Sequence, residues 1–165
     1  MLLLLFSLTI LLSSSQANSN DEYTDLALKK CNEEWSIHGL WPEYGNSSWP
    51  QFCNKTKYAD LTHSSIKPIL LDLEKYWYSG CYDYLFYAVM DVLYDMEPLF
   101  IYSDQANWKF WTHEWQKHGT CTNYTVLEYF STGIKLFKDF RQQGLIQKCC
   151  SSNKAQCLIH VNGTC

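Results

Sequence analysis

The sequence predicts an α+β domain, and three observations point there. Ile66, Ile69, Leu70, Leu73, Tyr76 and Trp77 recur at helical spacing behind Asp60 and Thr62, either of which can cap the helix. Val126, Phe130, Ile134 and Phe137 mark one face of a second helix. Cys157 to Val161 reads as a short strand inside a cysteine-rich tail.

Local chemistry supports each element in turn. Pro68 falls near the start of the first helix, where its missing N–H is tolerated. Thr125 and Glu128 have capping-box spacing, and Gly144 ends the second helix. Between the two, Leu85 to Tyr102 is rich in Tyr, Phe, Leu and Val without clean alternation, and reads as helix or strand. Asn18 to Lys30 is polar and offers little to bury. No repeat, low-complexity tract or linker is evident, so residues 18–165 are expected to form one domain.

Residues 1–17 read as a secretory signal peptide. Leu2 to Leu12 is almost entirely apolar, and Ser13, Ser14, Ser15, Gln16 and Ala17 follow with small residues suited to cleavage after Ala17. The apolar run is about half of the roughly 20 residues a membrane-spanning helix requires. Later, Asp91, Asp95 and Glu97 interrupt the Leu85–Tyr102 stretch, so no membrane anchor is expected. Eight cysteines behind a signal peptide imply disulfides, and no C-x-x-C spacing suggests zinc. Asn46, Asn54, Asn123 and Asn162 are acceptors for N-glycosylation, each weak alone. The net charge of −4 excludes long-range steering of a polyanion at neutral pH. Protonation of the five histidines would offset that deficit in an acidic compartment, which suits an extracellular, lysosomal or vacuolar acid enzyme.

Two tryptophan-rich segments carry three of the histidines. One is Trp35-Ser36-Ile37-His38-Gly39-Leu40-Trp41-Pro42. The other runs Phe110-Trp111-Thr112-His113-Glu114-Trp115-Gln116-Lys117-His118-Gly119-Thr120-Cys121. Thr112 can cap a short helix closed by Gly119. On that helix His113, Glu114, Lys117 and His118 would share an arc of roughly 140°. Two imidazoles, a carboxylate and an ammonium crowded together are costly for a merely structural helix but make sense around a phosphate. A solvated polar face with one core histidine is the plain alternative. A zinc protease needs histidines four apart in H-E-x-x-H, and His113 and His118 are five apart. No metal or other cofactor is expected.

Together the segments resemble the two active-site signatures of the ribonuclease T2 family, W-T-I-H-G-L-W-P and F-W-x-H-E-W-x-K-H-G-T-C. Leu73-Glu74-Lys75-Tyr76-Trp77 and Glu128-Tyr129-Phe130 also look like family features. The resemblance implies helices packed on an antiparallel sheet. It implies an endoribonuclease that cuts single-stranded RNA through a 2′,3′-cyclic phosphate, without metal and as a monomer. Such a reaction needs a base for the 2′-hydroxyl, an acid for the leaving 5′-oxygen and positive charge at the phosphorane. By resemblance His118 is the base and His38 the acid, in an assignment that can be reversed. Lys117 then stabilises the developing charge, His113 binds phosphate and Glu114 orients its neighbours.

For the bases, Trp41 and Trp49 can stack and Glu43 can accept from an exocyclic amine. The resemblance places Phe110 at the wall of a second base site. Simple packing of these aromatics is the alternative. The resemblance also implies that Cys53 joins Cys121 and Cys31 joins Cys81, leaving Cys149 and Cys150 to pair with Cys157 and Cys165 in an order left open.

The chain departs from the family pattern in three places. Nothing between Ala17 and Cys31 resembles the family's opening strand, which reads like L-x-L-x-W-P, so the sheet is expected to be reduced. Tyr82 to Tyr102 looks longer than the family's connection, and the family helix with a Ser-Tyr pair is missing after Gly144. The rival expectation is therefore a catalytically weak or inactive secreted glycoprotein, either a truncated isoform or a binding protein. A structural disulfide module without ligand is a third, which the convergent histidines oppose. His63 and His160 lie outside both segments and are expected to matter little for cleavage.

Overall fold

Leu26 and Leu28 alternate with Asp25, Ala27 and Lys29, and this two-residue period builds the centre of the sheet. A computed structural model describes residues 24–31, 33–44, 49–80, 97–151 and 153–165, with backbone alone at 97–104. Strand β1, Thr24–Cys31, runs antiparallel between β2, Glu34–Pro42, and β3, Gln156–His160. Leu26, Ala27 and Leu28 are fully buried. This corrects the expectation that Asn18 to Lys30 has little to bury, and a strand forms although nothing there resembles the family's opening strand. The lysines mask a half-apolar alternation, in which Lys29 leaves the sheet on the face opposite Leu26 and Leu28.

The β1–β2 register slips between Ala27 and Leu28: Ala27 pairs with Gly39, and Leu28 with Ile37. His38 is therefore the extra residue of a β-bulge. Ile37 and Leu40 are three apart and would face opposite ways in a regular strand. Because of the bulge both are fully buried against Leu28 and Leu26. The device re-aims His38 away from the ladder.

The helix expected after Thr62 is broken in the middle. Thr62 caps α1, His63–Ile66, through a capping box with Ser65. Pro68 sits in a 3-10 turn, Lys67–Ile69, before α2, Leu70–Tyr76. The second tryptophan-rich segment begins on the last turns of a long helix, α3, Glu97–Lys117. Thr112 is thus an interior residue of α3, and not the N-cap expected of it, because the helix continues upstream through Trp108 and Phe110. Of the Leu85–Tyr102 stretch, residues from Glu97 onward are helical and the rest lie outside the described residues. Helix α4, Val126–Gln142, carries the expected capping box between Thr125 and Glu128. Gly144 stops the chain in the left-handed region at φ 71° before α5, Leu145–Cys149.

Three indoles pin the core to backbone carbonyls: Trp77 Nε1 to His38 at 2.9 Å, Trp111 Nε1 to Trp77 at 2.6 Å, and Trp115 Nε1 to Lys57 at 2.9 Å. Around them Tyr129, Phe130 and Phe137 are buried on α4. Cys53 is bonded to Cys121, as the resemblance implies. The tail pairs Cys149 with Cys165 and Cys150 with Cys157. Cys31 is disulfide-bonded, while Cys81 lies outside the described residues, as does Asn46.

Since β1 is the shared strand, Leu28→Ala is expected to cost about 2–5 kcal/mol of unfolding free energy in denaturant titration. A loss below about 1 kcal/mol would show that β1 does not carry the core.

Candidate active site

The two tryptophan-rich segments meet at Gly39. Glu114, on α3, is 1 % exposed and brings its carboxylate down onto β2, where Trp41 Nε1 donates to its Oε2 at 3.0 Å. A Cβ on Gly39 would stand 2.1 Å from Trp41 Nε1 and 2.3 Å from Glu114 Oε2, so no side chain fits there. His38 Nε2 lies 3.7 Å from the other oxygen of Glu114. The Tyr129 hydroxyl ties the segments from below, accepting from the Leu40 backbone N–H and donating to the Glu114 carbonyl, each at 3.4 Å.

His118 follows directly after α3, its backbone N–H bonded to the Glu114 carbonyl at 3.0 Å. The Trp41 ring stacks on it with centroids 4.9 Å apart and planes 20° apart. His118 is 2 % exposed, and neither ring nitrogen has a hydrogen-bond partner among the described residues. Such a pair of orphaned nitrogens is costly unless the ring stays neutral or a ligand completes it. His113 is exposed on the outer side, edge-on to Phe52 at 6.3 Å. Phe52 N–H reaches the Lys117 carbonyl at 2.9 Å, and the adjacent Cys53–Cys121 bridge holds that loop to the end of α3. Closing a loop of this length stabilises by about 4 kcal/mol in the chain-entropy model.

Electrostatics follow from burial in a site with surplus cation. Burial first, then the charges of Lys29, Lys117 and His113, hold His38 down to about 4. Burial, with Lys117, His113 and His38, holds His118 down to about 3. His113 is lowered by burial and by Lys117. Burial pushes Glu114 up to about 7 against the Trp41 N–H, Lys117 and Lys29. Both imidazoles are therefore kept neutral until an anion enters to favour their charged forms.

Lys29, Gln156 and Asp25 escaped sequence reasoning, and His160 was set aside by it. Lys29 on β1 donates to the carbonyls of Tyr78 and of Ser79, the latter at 2.9 Å, and lies 4.2 Å from the Phe110 ring centroid. Burial lowers it to about 8 against the pull of Glu114. Gln156 on β3 places Nε2 3.5 Å from His38 Nδ1. Asp25 and His160 stand beside Glu43 at the end of the sheet. Only the Asp25-x-Ala27-x-Lys29 alternation could have signalled a sheet face, since Gln156 and His160 arrive from the far end of the chain.

Of the expected base-binding residues, Phe110 stands 5.7 Å from the His38 ring and Trp49 lies edge-on to Trp41 at 6.3 Å. Glu43 faces His160, its Oε2 3.9 Å from Nδ1. Among the described residues one group has metal-ligand spacing, Asp25, Glu43 and His160, whose ligand atoms all lie within 4.8 Å. It is separate from the cluster of His38, Glu114 and His118. No helix among the described residues is long and apolar enough to cross a membrane.

Comparison with known proteins finds similar sequences and folds. Residues 6–154 match the model of the Ribonuclease T2 family. Intracellular ribonuclease LX of Solanum lycopersicum is 32 % identical over 105 residues, covering 64 % of this chain and 35 % of that protein. Ribonuclease T2 of Sus scrofa is 30 % identical over 134 residues, covering 72 % of this chain and 52 % of that protein. The chain thus spans only a third to a half of these relatives' length. A crystal structure of RNase NT in complex with 5′-AMP superposes with a TM-score of 0.53 and 26 % identity, covering 77 % of this chain and 61 % of that one.

If an anion supplies the missing countercharge, its binding takes up protons. Sulfate affinity measured by calorimetry is then expected to rise as the pH falls from 7 to 5, with the His38 and His118 NMR resonances shifting to higher pKa on saturation. By linkage, the stability that the two neutral rings confer is present above about 6.5 and lost as the pH falls through about 4 and 3. Sulfate affinity that is flat across this range would contradict the neutral-imidazole description.

Proposed function

Because the chain belongs to the ribonuclease T2 family, we propose that it is a secreted acid endoribonuclease cleaving single-stranded RNA by attack of the substrate's own 2′-hydroxyl. The observation that carries the reading is the convergence of His38, Glu114 and His118 around Trp41, with one imidazole beside the Glu114 carboxylate and the other stacked on the indole that bonds it. His118 takes the 2′-hydroxyl proton and His38 protonates the leaving 5′-oxygen, or the two exchange roles. Lys117 and His113 stabilise and bind the phosphate, and Glu114 orients Trp41 and His38. Trp41, Trp49, Glu43 and Phe110 form the base-binding surface. No step calls for a metal.

On this reading residues 1–17 are a signal peptide, residues 18–165 one domain acting as a monomer, and the destination extracellular, lysosomal or vacuolar. The disulfides support an oxidising compartment. Asn54, Asn123 and Asn162 are glycan acceptors at accessible positions, with Asn46 a fourth outside the described residues. In two of them the carboxamide accepts from its own sequon threonine, Asn54 from Thr56 and Asn162 from Thr164.

A second reading, a weak or inactive secreted glycoprotein, is favoured by one specific feature. Trp41 covers His118, so a substrate must displace that indole before the ring can act.

Three arms test these readings on purified protein with RNA at pH 5 and pH 7. His38→Ala and His118→Ala are each expected to lower cleavage roughly 10²- to 10⁴-fold, the range for losing a general acid or base. Activity should survive EDTA, and loss in EDTA would end the metal-free mechanism. RNA with 2′-O-methyl groups should resist and unmodified RNA should yield 2′,3′-cyclic phosphates. A folded wild type with no cleavage at either pH establishes the second reading.

A further inference from the structure

His38 is the extra residue of the β2 bulge, so its ring is placed by its contacts and not by the ladder. Trp77 Nε1 donates to its carbonyl at 2.9 Å, and the rings of Trp41 and Phe110 flank the imidazole with centroids 5.2 and 5.7 Å away. These contacts confine the ring without distinguishing its two nitrogens. The polar partners do: Glu114 Oε1 lies 3.7 Å from Nε2, and the Gln156 carboxamide nitrogen 3.5 Å from Nδ1.

Gln156 reaches that position through strand pairing. It lies opposite Lys29 on β1, which lies opposite Ser36 on β2, so the three side chains leave one face of the sheet. The Ala155 carbonyl accepts from the Lys30 N–H at 2.9 Å, and Cys157 is bonded to Cys150. The carboxamide is thus carried by backbone fixed on both sides of it.

A neutral imidazole donates from one nitrogen and accepts at the other. Burial, with Lys29, Lys117 and His113, holds His38 neutral down to about 4. In the neutral ring an Nε2–H aims at the Glu114 carboxyl and leaves Nδ1 bare for the Gln156 N–H. The opposite tautomer would turn the bare Nε2 toward an ionised Glu114. The charged or titratable groups around the ring are Lys29 from β1, His113, Glu114 and Lys117 from α3, and His118 just beyond it. Gln156 is the uncharged partner from β3.

A ring that already holds Nε2–H cannot take a proton at that nitrogen, so it does not start as the base. It becomes an acid once a second proton lands on Nδ1. The Nε2–H bond then breaks as the leaving 5′-oxygen forms its O–H, and the neutral ring keeps the proton on Nδ1. A carboxamide serves both states, donating N–H to a bare Nδ1 or, after a half-turn, accepting Nδ1–H on Oε1.

We infer that Gln156 is a positioning residue that grips Nδ1 of His38, directing proton transfer through Nε2 and giving His38 the part of the acid. The inference rests on the RNA-cleavage reading above and removes its ambiguity of roles. It also gives the disulfide-bonded C-terminal strand a part in the reaction.

The test compares full-length wild type, Gln156→Leu and Gln156→Glu, with circular dichroism to verify folding. Long-range ¹H–¹⁵N NMR at pH 7 reads the His38 tautomer without substrate. The wild type is expected to show Nε2–H. Gln156→Glu, an acceptor only when ionised, should show Nδ1–H, and Gln156→Leu should populate both. Next, kcat and KM are measured on a dinucleoside phosphate from pH 4 to pH 8. Gln156→Leu should lower kcat roughly tenfold with KM unchanged, the lower end for losing a hydrogen bond to a charged group. Gln156→Glu should retain most of kcat and move the basic limb of the profile to higher pH, because a carboxylate favours the charged ring.

Wild-type kcat in Gln156→Leu, or an Nδ1–H tautomer in the wild type, overturns the inference. So does a loss shared by both variants with no change in tautomer or pH profile, which marks a merely structural residue. If Gln156→Leu does not fold, the tautomer and pH profile of Gln156→Glu decide. If the wild type cuts nothing, the cleavage reading fails, while the tautomers of the three proteins still show whether Gln156 grips Nδ1.

Discussion

The hydrogen bond from Trp41 to the buried carboxylate of Glu114 is the constraint on which the site depends. It joins the central sheet to the long helix across 73 residues of sequence, and it requires that nothing larger than hydrogen project from Gly39. Trp41 is then held against His118 and beside His38, while the second oxygen of Glu114 faces His38. A buried carboxyl with one N–H partner and two lysines within electrostatic reach is held near the point where it can gain or lose a proton.

Around that bond the fold supplies rigidity from three directions. Tyr129 ties the Leu40 amide to the Glu114 carbonyl, and Trp77 holds the His38 carbonyl, so the bulge in β2 is fixed on its buried side. The Cys53–Cys121 bridge secures the loop that brings Phe52 to Lys117 and His113. Catalytic groups need geometry held to fractions of an ångström, and backbone carbonyls gripped by buried indoles provide it.

The proposed function asks an acidic protein to handle a polyanion. Attraction is local: burial, with Lys117 near both rings and Lys29 near His38, keeps the two imidazoles neutral. On the proposed reading, a bound phosphate would favour the charged form of both rings where an acid is needed. If the protein works in an acidic compartment, as proposed, protonated histidines take the place of long-range steering.

By itself the sequence determined the parts whose information is local. The Thr125–Glu128 capping box, the Gly144 stop, the tail strand and both histidine segments were legible because each is encoded within a few adjacent residues. Tertiary structure decided what depends on partners far away in the chain. Strand β1 was hidden because its lysines disguise an apolar alternation that gains meaning only between β2 and β3. The bulge at His38 exists only against the register of Ala27 and Leu28. The seating of Lys29, Gln156, Asp25 and His160 around the site came from strand pairing over more than 100 residues, which no local period records. The burial of His118 beneath Trp41 belongs to the same class, since a residue's solvent exposure is set by what packs over it.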